Sequence, residues 1–172
     1  EVEESALRAI ARSARWVKVA LANAGHDWDA RLTRLAEWVG IDRLIVAAYA
    51  DAPRVDAPES ESLLQWAIDH RAAGLLIDTA IKDGTSLFTH HTPDRLQALV
   101  SRARQHDLLT ALAGSLRVRH LADVLAIAPD VIAVRGAACD ANDRATSVST
   151  ERVAALREAI EAESSASALR AG

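Results

Sequence analysis

Methionine is absent from this chain of 172 residues, and lysine nearly so. Of 20 basic residues only Lys18 and Lys82 are lysines; the others are arginines. A single cysteine, Cys139, excludes a disulfide framework and fits a reducing compartment. No apolar stretch approaches the length of a membrane span, and the N-terminus lacks a signal-peptide pattern. The expectation is a cytoplasmic protein with no membrane association. There is no excess of positive charge either. The net charge is −4, and the arginines alternate with acids, as in Glu151/Arg152 and Arg157/Glu158, which argues against a nucleic-acid surface. A G-x-G-x-x-G turn is also missing, which counts against dinucleotide binding. A chain that opens on Glu1 with no Met anywhere fits removal of an initiator, or a start partway through a larger protein.

What is present is a repeated alternation. Five apolar runs, 16–21 (WVKVAL), 44–49 (LIVAAY), 75–81 (LLIDTAI), 108–113 (LLTALA) and 131–134 (VIAV), recur at roughly the length of one strand-plus-helix unit. Helical patterns fill the intervals at 29–39, 59–70, 118–126 and 150–162, and from Pro93 through Leu96, Leu99 and Val100; another covers 1–14. Such alternation predicts a parallel sheet covered by helices, with near-continuously apolar strands. An open doubly wound sheet and part of a (β/α)8 barrel both satisfy it. Five units cannot close a barrel, which needs eight. The small, polar residues 164–172 read as a flexible tail after a domain spanning 1–163.

Two strands carry charge where apolar residues are expected. Period 2 places Trp16, Lys18 and Ala20 on one face of the first run, and Asp78, Ala80 and Lys82 on one face of the third. If the third run is extended through Lys82, about 13 Å separate Asp78 from Lys82. Lys82 then lies at the C-terminal end of the strand, where parallel α/β folds build their sites. A lysine desolvated there can act as nucleophile or base, which an always-protonated arginine cannot. The plainer alternative is that Lys18 snorkels to solvent and Lys82 sits in a surface turn before Asp83-Gly84.

A second signal lies after the last two strands. Gly114-Ser115 and Arg135-Gly136 are small turns that offer backbone N–H groups to an anion, and Arg135 adds a guanidinium fork. They point to a phosphorylated small-molecule substrate. Tyr49 and Asp51 end the second run and are candidates for the mouth of the same site, with a loop role for Asp51 the alternative. His90-His91 and Cys139 show no metal-ligand spacing, so no metal and no cofactor are expected.

The segments WVKVAL, IVAAYADAPRV, LLIDTAIKDGTSLF, TALAGSL and VIAVRGAACDANDR together resemble the (5-formylfuran-3-yl)methyl phosphate synthase family, over about Trp16 to Arg157. The resemblance implies a (β/α)8 barrel and the condensation of two glyceraldehyde 3-phosphate molecules to a furan aldehyde phosphate in methanofuran-type cofactor biosynthesis. It implies lysine Schiff-base chemistry without a metal. By position it assigns catalytic roles to Lys18, Asp78 and Lys82, and phosphate binding to the Gly114/Ser115 and Arg135/Gly136 turns. It also implies an N-terminal portion with three more strands and an Asp-x-Lys pair whose lysine is the favoured Schiff-base residue. The five runs then correspond to strands four to eight of the barrel. The edges of such an arc call for a partner, either that N-terminal segment or another copy of the chain in a homo-oligomer. Another Schiff-base aldolase on triose phosphates, or a non-catalytic phosphate-binding half-barrel, are the alternatives.

Overall fold

Each apolar run forms a parallel strand, and the strands stand side by side in chain order. In the computed structural model, which describes residues 13–171, these are β1 (Val17–Ala20), β2 (Leu44–Tyr49), β3 (Gly74–Asp78), β4 (Leu109–Leu112) and β5 (Val131–Ile132). Every neighbouring pair is parallel, in the order β1-β2-β3-β4-β5. The connections carry α1 (Trp28–Val39), α2 (Ser60–Asp69), the short α3 (Leu87–His90), α4 (Pro93–Gln105) and α5 (Leu121–Ile127), and α6 (Thr150–Ala171) follows β5. The helix expected over 1–14 lies outside the described residues, except for its last two positions.

The helices form because their apolar residues recur at 3.6-residue spacing and so line one stripe. Leu32, Ala36 and Val39 of α1, Leu63, Leu64, Trp66 and Ala67 of α2, and Leu96, Leu99, Val100 and Ala103 of α4 are the buried ones. Thr92 caps α4, accepting the Arg95 N–H at 3.3 Å, and Pro93 follows at the first helical position. These stripes pack on one face of the sheet, against Val17, Leu44, Val46, Ala48, Leu75, Ile77 and Leu112, and make a single core. Each fully buried leucine in it contributes about 1.5–3 kcal/mol of transfer free energy.

The other face carries no helix among the described residues. Its alternate residues, Ile45, Ala47, Leu76, Ala111 and Ala113, form a second and smaller apolar cluster made of strand residues. Gly74 permits this. A Cβ there would stand 2.4 Å from the Leu109 carbonyl oxygen and 2.9 Å from Ile45 Cδ1. The doubly wound alternative expects helices on both faces and a reversal of strand order. Neither occurs among the described residues.

Apart from β2, which matches its run, the observed strands are shorter than the apolar runs. β5 keeps two residues, and its entry is pinned by Asp130 Oδ2, which accepts from the Thr110 N–H at 2.8 Å and the Thr110 hydroxyl at 2.6 Å. The run 118–126 begins as a 3-10 turn, Val118–His120, before α5. The last helix, expected to end near Ala162, continues to Ala171 through residues that read as a tail.

Candidate active site

The third strand departs most from its sequence pattern. The run 75–81 reads as continuous strand, but β3 ends at Asp78. The last sheet bond runs from the Ala50 N–H to the Asp78 carbonyl at 2.7 Å. Beyond it the main chain is captured by a side chain. Asp51, 1 % exposed, accepts the Ala80 N–H at 2.6 Å and the Ile81 N–H at 2.9 Å. Both donors are withdrawn from any ladder, and the chain turns. Burial opposes the Asp51 charge, but the hydrogen bonds from Ile81 and Ala80 outweigh it and hold the pKa below the ordinary carboxylate value. Asp51 was a candidate mouth residue; it is instead a buried clamp on the segment that carries Lys82.

The turn corrects the spacing of the charged pair. Lys82 folds back rather than lying about 13 Å from Asp78. Its Nζ donates to Asp78 Oδ1 at 2.8 Å, to the Thr79 carbonyl at 2.5 Å and to Thr79 Oγ1 at 3.0 Å. Three acceptors match the three N–H bonds of an ammonium. Asp78 Oδ1 also accepts the Thr79 N–H at 2.8 Å. Farther out, Arg54 pairs with Asp83 at 2.8 Å, and Asp83 takes the Thr85 hydroxyl at 2.6 Å. The hydrogen bond from Thr85 and then that from Arg54 hold the Asp83 carboxyl well below the usual range.

Asp78 and Lys82 open onto a cleft of about 380 Å³, whose other wall is made by the turns after β4 and β5. Gly114, Ser115, Arg135 and Gly136 all line it, so six of the sequence-derived site residues converge there. Gly114 has φ 103° and Ser115 φ 51°, a left-handed pair that turns the chain sharply; the Gly114 carbonyl accepts the Leu87 N–H at 2.9 Å. The N–H groups of Gly114, Ser115 and Leu116, and of Gly136 and Ala137, donate to no acceptor among the described residues. The 3-10 turn Gly136–Ala138 is backed by Leu156 of α6, which packs on Ala137 and Ala138. Small residues are needed here because helix and turn lie in direct contact.

Lys18, Tyr49 and Asp51 do not line the cleft. Lys18 shares the helix-free face with Asp78, but it is exposed, two strands away, and level with Gly74. That offset separates the Cα atoms of Lys18 and Asp78 by roughly 16 Å from sheet spacings alone. Tyr49 stands beside Asp78 in register and is half-buried; burial, then the charges of Asp78 and Asp51, push its phenol pKa up.

Sequence reasoning passed over three charged residues in the cleft, Arg117, Asp143 and Arg144. Arg117 follows Gly114 by three residues, and Arg144 ends the loop-like run DANDR. That proximity to the two glycine turns was the available signal. Cys139 is fully buried and free, placed behind the turn rather than in the cleft. No helix among the described residues is long and apolar enough to cross a membrane.

Over 1–157 the sequence matches the 4-HFC-P synthase family. It is 42% identical over 122 residues to a (5-formylfuran-3-yl)methyl phosphate synthase of Methanothermobacter thermautotrophicus, covering 70% of this chain and 52% of that protein. A synthase of the same name from Methanococcus maripaludis is 33% identical over 146 residues, with 81% and 62% covered. A putative one from Streptomyces griseus is 36% identical over 163 residues, with 91% and 65% covered. The chain thus spans between half and two thirds of the length of these relatives. A thiamine phosphate pyrophosphorylase from Pyrococcus furiosus overlays 94% of this chain and 90% of its own, with 16% identity and a TM-score of 0.43, too loose a likeness to argue from. The chain belongs to the 4-HFC-P synthase family.

Proposed function

We propose that this chain carries the phosphate-binding wall and a lysine–aspartate pair of an enzyme that makes (5-formylfuran-3-yl)methyl phosphate, the compound named in its relatives. The reaction is a carbon–carbon condensation of two glyceraldehyde 3-phosphate molecules with loss of one phosphate and two molecules of water. The observation that carries this reading is the cleft itself. It sets the Lys82–Asp78 pair opposite the unpartnered N–H groups of Gly114–Leu116 and Gly136–Ala137. A phosphate held on those turns leaves its attached carbon chain directed across the cleft, so binding energy remote from the reacting carbons fixes their position.

Schiff-base formation turns a carbonyl into an iminium that acidifies the adjacent C–H. Lys82, as placed, is a donor to three acceptors and would have to leave all of them to act as nucleophile. Its position favours proton transfer and charge stabilisation beside Asp78, with the iminium formed on another lysine. Lys18, distant on the same face, is the other lysine of this chain.

The architecture supports reading the sheet as five consecutive units of a (β/α)8 barrel. Strand order equals chain order, every pair is parallel, and the helix cores lie on one face. On this reading the helix-free face, with Lys18 and the exposed Val131 on its two edge strands, is completed by further strands. Those strands come from a segment outside this sequence or from a second copy.

The test is to graft this sequence in place of the matching region of the Methanothermobacter thermautotrophicus relative, supply glyceraldehyde 3-phosphate, and identify the product by mass spectrometry. The graft is expected to form the furan aldehyde phosphate, and Lys82→Arg to abolish turnover although it keeps the charge. Near-normal turnover of that variant would sink the role given to the amine. Borohydride trapping then shows which lysine carries the iminium.

A further inference from the structure

Two guanidinium groups in the cleft have no ion-pair or hydrogen-bond partner for their side chains among the described residues. They belong to Arg117 and Arg144. Some arginines elsewhere in the chain find carboxylates. Arg95 reaches Glu61 at 2.7 Å, and Arg54 reaches Asp83 at 2.8 Å. Within the cleft Lys82 is already neutralised by Asp78. Three arginines, Arg117, Arg135 and Arg144, then face one further carboxylate, Asp143, whose Oδ1 is engaged by the Ala145 N–H at 2.9 Å. The cleft is left with a net positive charge in a concave site, where low-dielectric walls strengthen attraction for an anion.

The main chain of both residues is fixed, which aims their side chains. The Arg117 N–H donates to His120 Nδ1 at 3.2 Å, and the His120 N–H returns to the Arg117 carbonyl at 2.9 Å, closing the turn into α5. The Arg144 carbonyl accepts from Arg135 Nε at 3.2 Å. Its loop is braced by Thr146 Oγ1 donating to the Asp140 and Asp143 carbonyls at 3.0 and 2.7 Å, and by a bridge between Cys139 and Val148. Arg135 is therefore tethered to the main chain of the loop that carries Arg144, while the forks of Arg117 and Arg144 have no partner among the described residues.

We infer that the cleft holds two phosphates at once, one on the Gly114 and Gly136 turns with Arg135, and a second between Arg117 and Arg144. The inference rests on the reading above in that the second phosphate belongs to a second triose phosphate molecule. The anion site itself stands on the unpaired arginines alone. A planar guanidinium fork takes phosphate oxygens two at a time, so two such forks suffice for one phosphate dianion.

Titration of the full chain with inorganic phosphate, at ionic strength held constant with sodium chloride and followed by NMR, tests this. The amides of Gly114, Ser115 and Gly136 report the first station, and the Nε–H groups of Arg117 and Arg144 the second. Two separable binding events are expected. The double variant Arg117→Gln, Arg144→Gln keeps every main-chain contact described above. It should weaken the second event about tenfold or abolish it, and leave the first within about twofold. The inference is overturned if the arginine signals stay still, or if the double variant weakens both events equally, which would mean one shared anion. Arginine signals that move while the turn amides do not would uphold the second station and overturn the phosphate role of the turns.

Discussion

Lys82 Nζ lies 2.8 Å from Asp78 Oδ1, across one turn of chain rather than along a strand. The lysine side chain is 28% exposed and the aspartate 16%, so the pair is neither a buried ion pair nor a free surface one. Pairs of this kind add about 1 kcal/mol or less to stability. Asp78→Asn should therefore change the denaturation midpoint little, but cut turnover of the grafted enzyme by two or more orders of magnitude if the pair moves protons. Denaturant titration and a product assay on the same sample separate the two effects.

Asp51→Ala should be costly for the opposite reason. It strands the Ala80 and Ile81 N–H groups, each worth about 1–3 kcal/mol when left without a partner. The pH dependence follows from the lowered pKa of this carboxyl. A folded-state pKa below the unfolded one gives stability that is full above the unfolded value of about 3.8 and lost as pH falls through the folded one. The gap between wild type and Asp51→Ala, measured by urea unfolding, should be wide at pH 7 and shrink below pH ~4.

His91 should make the fold acid-sensitive in a higher window. It is buried, its Nδ1 faces the His90 carbonyl at 2.9 Å, and its Nε2 meets the Ser60 hydroxyl at 3.1 Å. Nδ1–H donates to the His90 carbonyl, and in the neutral ring Nε2 accepts from the Ser60 hydroxyl. Burial lowers its pKa, aided by the Arg95 charge and opposed by the His90 carbonyl and by Glu61 and Glu59. A histidine held neutral in the fold costs nothing above its unfolded value of 6.5, and destabilises as pH falls below it. His120, also lowered by burial, adds in the same direction. Between pH 7.5 and 5.5 the melting temperature should fall, and by less in His91→Gln. An equal fall would remove His91 from the account.

Alanine at three glycines should give three graded outcomes. At Gly84, φ is 94° with no atom within 4 Å of an added Cβ, so only backbone strain of about 1 kcal/mol applies. At Gly114, φ is 103° and a Cβ would also press on Thr79 Cγ2 at 3.1 Å and Leu87 Cβ at 3.2 Å. At Gly74 it would meet the Leu109 carbonyl at 2.4 Å, and main chain cannot step aside. Overpacking adds about 1–3 kcal/mol or more. Unfolding free energies should rank Gly84→Ala mildest and Gly74→Ala most severe. Gly114→Ala alone should also weaken phosphate binding.

Five strands and the helices between them were legible because buried parallel strands leave near-continuous apolar runs and 3.6-residue stripes mark helices; the strand order was not, since the same alternation fits an open doubly wound sheet. The ends of strands were less legible. Apolar residues continue past Asp78, but where β3 stops depends on Asp51, a residue about thirty positions earlier. Arg117 and Arg144 escaped notice because one more arginine among eighteen carries no signal until two loops bring it to one cleft.

Periodicity and residue type thus determined the parallel sheet, the exceptional lysines and the two glycine turns, since each is written in neighbouring residues. The tertiary structure decided that Lys82 folds onto Asp78, that Asp51 is a clamp, and that Lys18 stands apart. Asp51 reaches the Ala80 and Ile81 N–H groups from the end of the neighbouring strand and so turns the segment that carries Lys82, and the strand pairing that sets these positions has no local trace in the chain.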